Sequence, residues 1–189
     1  MKALLALLCS LTAAFAAAPV KSNDLPAEAV AALNNGTKFV LFSLEPPITT
    51  ITEPQLRPNM TDEQKQKELE RFAKELKLKP DEGHHGYKIL GSTELADARS
   101  RASAVAAITE AVRGFDGAVA DCFEPRHSLR VVTANGTTYD FVACFECRQV
   151  YVYRDRTRIG TAGMTGSQNR LDDLLIVGKV PLAKPASSK

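Results

Sequence analysis

Apolar and polar positions divide the chain at its start. Behind the single charge of Lys2, the stretch Ala3 to Phe15 carries no charged side chain. A short basic start followed by an apolar run of this length predicts a cleavable signal peptide. Ala14 and Ala16 supply small residues at the −3 and −1 positions, so residues 1–16 are expected to be removed. The run is too short to be a membrane span, which needs about 20 apolar residues; Lys21, Asn23 and Asp24 end it. After cleavage no transmembrane segment is expected. Leu8 precedes Cys9 where a lipidated cysteine would follow a small residue.

Helical and strand periods alternate along the remainder. Residues 25–34 predict a short helix with Pro26 in its first turn and Asn35-Gly36 as its stop. Lys38 to Glu45 predicts an apolar strand. Residues 46–60 hold Pro46, Pro47, Pro54 and Pro58 and read as a loop. Thr61 to Lys77 predicts a charged helix, with capping-box spacing at Thr61 and Gln64 and a narrow stripe of Leu69, Phe72 and Leu76. Tyr87 to Leu95 is a second strand. Asp97 is placed to cap a helix running to Arg113, with Ala98, Ala102, Val105, Ile108 and Val112 at helical spacing and Gly114 at its end.

From Ala118 the period becomes two. Ser128–Ala134 and Thr137–Cys144 flank Asn135-Gly136, a strong hairpin signal. Arg148–Tyr153 and Arg158–Ala162 continue as strands, with a turn near Asp155. Ser167 caps a last helix with Leu171, Leu174 and Leu175 inward, closed by Gly178 and Pro181. Successive strands late in the chain predict an α+β fold: an antiparallel β-meander with helices packed on one face. Residues 17–189 are expected to form a single domain, with 45–83 a loop-and-helix elaboration.

Composition narrows the function. The chain carries 24 Lys+Arg against 22 Asp+Glu and no Trp; loss of Lys2 leaves 23 against 22, a net charge of +1. No nucleic-acid partner is indicated by that balance. Of four cysteines, Cys9 leaves with the leader, and Cys122, Cys144 and Cys147 remain. Export permits disulfides, and the odd number leaves a thiol, an intermolecular bridge or a metal.

The candidate chemistry lies in Cys122-Phe123-Glu124-Pro125-Arg126-His127, in Cys144-Phe145-Glu146-Cys147 and in His84-His85. A structural disulfide needs no further assumption. A zinc or copper site is the alternative, since Cys122, His127, Cys144 and Cys147 are ligand types those metals accept, with His85 a further ligand. Adjacent histidines beside glycine are otherwise expected to be solvated. A thiol-disulfide oxidoreductase built on Cys144-x-x-Cys147 is a third reading, but the helix that lowers such a thiol's pKa is replaced by a strand pattern. No G-x-S-x-G, H-E-x-x-H or phosphate-cradling loop occurs, so the reading leans away from an enzyme.

Hairpin geometry selects among the cysteines. With Asn135 and Gly136 as the two central turn residues, Val132 faces Tyr139, Leu129 faces Val142 and His127 faces Cys144. Side chains alternate along a strand, which turns Cys144 and Cys147 to opposite faces if the strand runs straight through Phe145 and Glu146; a Cys144–Cys147 link would need a break there and would favour the oxidoreductase reading. Cys122 falls opposite Gln149 and diagonal to Cys147. A register shift at Pro125 brings them together, so a Cys122–Cys147 disulfide is expected, with Cys144 reduced beside His127.

Over roughly residues 85–182 the chain resembles a group of uncharacterised exported bacterial proteins. The resemblance rests on His85-Gly86-Tyr87 with Leu90-Gly91, on the Cys-Phe-x-Pro-Arg-His element at 122–127, on Cys-Phe-Glu-Cys at 144–147, and on Val180-Pro181-Leu182. Ser128 stands where that group often has Gly. The resemblance implies an exported bacterial single-domain protein and a role for His85 and His127 beyond solvation; it implies no activity. The expectation is therefore a periplasmic or secreted, non-catalytic binding or structural domain that contains a disulfide, needs no cofactor and has an unknown partner.

Overall fold

A computed structural model describes residues 24–45, 59–75, 83–120 and 122–184. The expected leader, the proline-rich loop over 46–58 and Leu76 lie outside the described residues. Chain order gives α1 (Ala27–Asn35), β1 (Lys38–Glu45), α2 (Asp62–Glu75), β2 (Gly83–His84), β3 (Tyr87–Glu94), α3 (Ala98–Arg113), β4 (His127–Val132), β5 (Thr138–Cys144), β6 (Gln149–Arg154), β7 (Thr157–Gly163) and α4 (Asn169–Val177). The fold is α+β. Seven strands form one antiparallel sheet in the order β2-β3-β1-β4-β5-β6-β7. β4 to β7 are the meander; β1 lies between β3 and β4, which both follow it in sequence. Among the described residues no helix is long and apolar enough to cross a membrane.

Strand alternation gives the sheet two unlike faces. Phe39 and Leu41 of β1, Leu129 and Val131 of β4, Phe141 of β5, and Val150 and Val152 of β6 turn to one face. There they meet Ala29, Ala32 and Leu33 of α1, Ala104, Ala107, Ile108 and Ala111 of α3, and Leu171 and Leu175 of α4. Burial of this set is the main source of stability, each large side chain contributing about 1.5–3 kcal/mol. The other face carries a smaller cluster of Leu44, Tyr87, Val142 and Tyr153, and beside it several polar groups. α2 comes to this second face through Phe72, which is 1% exposed.

Local signals explain the ends of the helices. The Asp97 carboxylate accepts a hydrogen bond from the Ser100 amide at 2.8 Å, satisfying one orphan donor of α3. Thr61 and Gln64 exchange the two bonds of a capping box at 2.9 and 3.2 Å. The Ser167 hydroxyl accepts from Asn169 N at 3.1 Å, and Gly178 N closes α4 onto Leu174 O. The buried stripe of α3 differs from the expected one: Ala98 and Ala102 are exposed, and Ala104, Ala107 and Ala111 take the inner face. In an alanine-rich helix the inner and outer faces differ little in hydropathy, so the pattern alone did not orient it.

The central hairpin turns at Asn135-Gly136, one residue out of the expected register. Gly136 N bonds Thr133 O at 2.9 Å, and Thr133 N bonds Thr137 O at 3.0 Å. Three residues, Ala134 to Gly136, thus form the loop, with Gly136 at φ 85°. The Asn135 carboxamide oxygen accepts from the Thr133 hydroxyl and the Thr137 amide, which favours this wider turn over a two-residue one. His127 therefore faces Ala143 rather than Cys144, Leu129 faces Phe141 rather than Val142, and Val132 faces Thr138 rather than Tyr139. A slip of one residue changes every cross-strand pair. Its main consequence is that Arg130 stands directly opposite Asp140.

Candidate functional site

Arg130 and Asp140 occupy neighbouring strands on the second face. Asp140 is wholly buried. The Arg130 Nε donates to Oδ1 at 2.7 Å and Nη2 to Oδ2 at 2.9 Å, the two-point geometry that suits a guanidinium and a carboxylate. The pair is partly closed over by the hairpin of β2 and β3, whose two turn residues are His85 at φ 53° and Gly86 at φ 88°. Positive φ at both positions is the type I′ requirement, which glycine meets freely and histidine does not. A side chain at Gly86 would also collide with Phe72, 1.8 Å from the ring. Close packing of α2 and the turn conformation thus both depend on glycine.

This turn drives both histidines into the sheet. His85 Nε2 lies 2.7 Å from Asp140 Oδ2; the ionised carboxylate only accepts, so the ring nitrogen donates. Tyr153 stacks on the His85 ring at 3.8 Å between centroids, and Phe42 stacks on His84 at 4.6 Å. His84 Nδ1 faces Arg130 Nη2 at 3.4 Å. A guanidinium can only donate, so Nδ1 accepts, and Nε2–H donates to the Ser128 hydroxyl at 2.7 Å. The histidines expected to be solvated are therefore buried: the His84 side chain is 3% exposed and that of His85 6%.

Electrostatics follow from this enclosure. Burial, reinforced by repulsion from His85 and Arg130, pushes the His84 imidazole down to about 3 against the pull of Asp140, so the ring is neutral at physiological pH. Burial by itself would raise the Asp140 carboxyl, but the hydrogen bonds from His85 and Arg130 outweigh it and hold the group below the usual carboxylate range. A cavity of about 390 Å³ opens above the cluster, lined by His84, His85, Arg130, Thr138, Gln66 and Glu70 of α2, and Asp155 and Arg156 of the β6–β7 turn.

The cysteines form a second centre. Four turn residues, 145–148, separate β5 from β6, with Arg148 at φ 60°, so the strand expected to run through Phe145 and Glu146 breaks there. The break brings Cys144 and Cys147 to a Cα separation of 5.3 Å, and they are bonded. This replaces the expected Cys122–Cys147 disulfide, and Cys144 is bonded rather than reduced. Cys122 keeps its thiol, exposed, with Sγ 3.0 Å from Cys147 Sγ. The expected diagonal neighbours thus do meet, around a different bond.

Residues of the 122–127 and 144–147 segments knit this region together without forming the expected ligand set. Arg126 holds Glu146 through two bonds at 2.6 and 3.0 Å, and Phe123 stacks on Tyr151 at 3.6 Å. His127 turns to the helix-covered face and bonds Asp172 of α4 at 2.8 Å. With His127 committed to Asp172 and His85 to Asp140, the set Cys122, His127, Cys144, Cys147 and His85 is not gathered at one point. Among the described residues the group of three metal-ligand types that does converge is His84, His85 and Asp140, with ligand atoms within 4.8 Å of one another. Ser128, Arg130, Asp140 and Asp172 were not singled out from sequence. The available signal was alternation: polar Ser128 and Arg130 share one parity of an otherwise apolar strand, and Asp140 interrupts another.

Compared with protein-family models, curated proteins and solved structures, the chain matches none.

Proposed function

We propose that the protein is an exported, non-catalytic binding domain, braced by a disulfide, that takes a small polar ligand in the cavity above His84, His85 and Arg130. One observation carries this reading: a buried, mutually hydrogen-bonded polar cluster forms the floor of an open cavity. Such clusters are costly to bury, and a concave site with a few convergent polar groups is where ligands are held. Arg130 spends Nε and Nη2 on Asp140 and leaves Nη1 outside those bonds. Together with Arg156 it offers donors to an anionic group, while Glu70 and Asp155 on the same lining accept from the hydroxyl or amine groups of a mixed polar ligand. The experiment is a panel of small carboxylates, phosphates and sulfate titrated into the purified protein and followed by amide NMR. Shifts confined to Gly83–Gly86, Arg130 and Arg156, lost in Arg156→Ala, support the reading. A panel that moves none of these amides counts against it.

A second reading, a metal-binding protein, is supported by the convergence of His84, His85 and Asp140. His84 is neutral, the form that ligates a metal, but Arg130 already holds both oxygens of Asp140, and the cation would have to displace it. Zinc and copper titrations with metal analysis of the dialysed protein separate the two: one equivalent retained, and lost in His84→Gln, favours the metal.

A further inference from the structure

The three sulfurs of the second centre are closer than a structural disulfide requires. Cys147 Sγ is bonded to Cys144 and touched by Cys122 Sγ at 3.0 Å. Thiol–disulfide exchange proceeds by attack of a thiolate on one sulfur of a disulfide, and reacting atoms about 3–3.5 Å apart are already at attack distance. Backbone donors point at both sulfurs of the bond. Cys147 N approaches Cys144 Sγ at 3.1 Å, and Glu124 N approaches Cys147 Sγ at 3.3 Å. The first lies where negative charge would develop on a departing Cys144. The attacking sulfur and the bonded pair differ in access: Cys122 is exposed, whereas Cys144 and Cys147 are 1% and 0% exposed.

We propose that Cys122, Cys144 and Cys147 form an exchange centre in which one disulfide moves between the inner pair Cys144–Cys147 and an outward pair Cys122–Cys147. Cys122 gives its proton to solvent, and the thiolate attacks Cys147 Sγ. The Cys122–Cys147 bond forms as the Cys144–Cys147 bond breaks. The electron pair leaves on Cys144 Sγ, steadied by Cys147 N–H, and is then protonated. One thiol and one disulfide stand on each side, so no oxidant or reductant is consumed. The rearrangement carries a buried disulfide to a position where one of its sulfurs reaches the surface. It is independent of the cavity above His84 and His85, which lies around other residues.

The test is disulfide mapping of the full chain, incubated at mildly alkaline pH, quenched in acid to stop exchange and digested with pepsin. Wild type is expected to yield two linked peptide pairs, Cys144–Cys147 and Cys122–Cys147. Cys122→Ser is expected to yield the first alone, and Cys144→Ser the second alone, with Cys122 no longer open to alkylation. Because Cys144→Ser could fail to fold, the wild-type map decides. A Cys144–Cys147 link as the sole species in wild type, with Cys122 fully alkylated whatever the incubation, overturns the proposal.

Discussion

At Asp140 a buried carboxylate is held by two side chains, Arg130 and His85, and its removal leaves charge behind. Asp140→Asn keeps one acceptor oxygen, but it removes the negative charge and puts an NH2 donor against the donors of Arg130 and His85. Breaking one side of a buried pair costs about 3–5 kcal/mol, and we expect a loss of that size in urea denaturation; a loss below about 1 kcal/mol would show that Arg130 finds water instead. His84 gives the same site a pH dependence. Above the ordinary histidine value of 6.5 the ring is neutral both folded and unfolded. Between 6.5 and about 3 the unfolded chain binds a proton that the folded chain refuses. Stability is therefore full above that window and falls on acidification through it, by up to about 1.4 kcal/mol per pH unit. Asp140, whose folded carboxyl also titrates lower than usual, extends the loss at the acid end. Stability measured across the window should show the slope in wild type and a shallower one in His84→Gln. An equal slope in both would place the titrating group elsewhere.

At the scale of elements, α2 and the β2–β3 hairpin depend on each other through Phe72 and Gly86. Replacing residues 48–80 with a short linker removes α2 and its side of the cavity but leaves the helix-covered core intact, since longer or shorter loops differ by only about 0.6 kcal/mol per doubling. Unfolding is expected to remain cooperative, while amide exchange at Gly83–Gly86 speeds up. Loss of all cooperative structure would place Phe72 in the main core. The elements themselves were largely legible, because period, caps and the Asn-Gly turn each act locally: α1, β1, the capping box of α2, β3 and the four late strands fall close to where the pattern sets them. The two-residue β2 was not, since its partners come from the strand that follows and the burial of His84 comes from Phe42, Ser128 and Arg130 of distant strands. The register of the β4–β5 hairpin escaped by one residue because the Asn135 side chain, not the dipeptide alone, fixes the turn. The break at 145–148 escaped because its left-handed residue is Arg148, where no turn-forming type announces it. The candidate site was the least legible part for the same reason: Arg130 meets Asp140 only in the true register, and His85 reaches inward only from a strained turn.

The whole molecule unites a well-packed helical face with a polar, partly open one, on a chain whose first sixteen residues predict export. Mass analysis of protein recovered from the exporting cell should give a mature start at Ala17, within two residues; an intact Met1 or a lipid on Cys9 would remove that reading. The strand order carries a further consequence, for time rather than for energy. β1 emerges early in synthesis, yet Val40 pairs with both Glu94 and Arg130, so this inner strand of the sheet waits for strands made much later. β3 becomes available to it first and β4 only later, so the two sides of β1 are closed in turn. Distant pairings slow folding because their loop closure comes before any reward, and here the two pairings of β1 carry that cost while the β4–β7 meander forms from neighbouring strands. β1 is thus the strand of this sheet whose two neighbours are both made long after it.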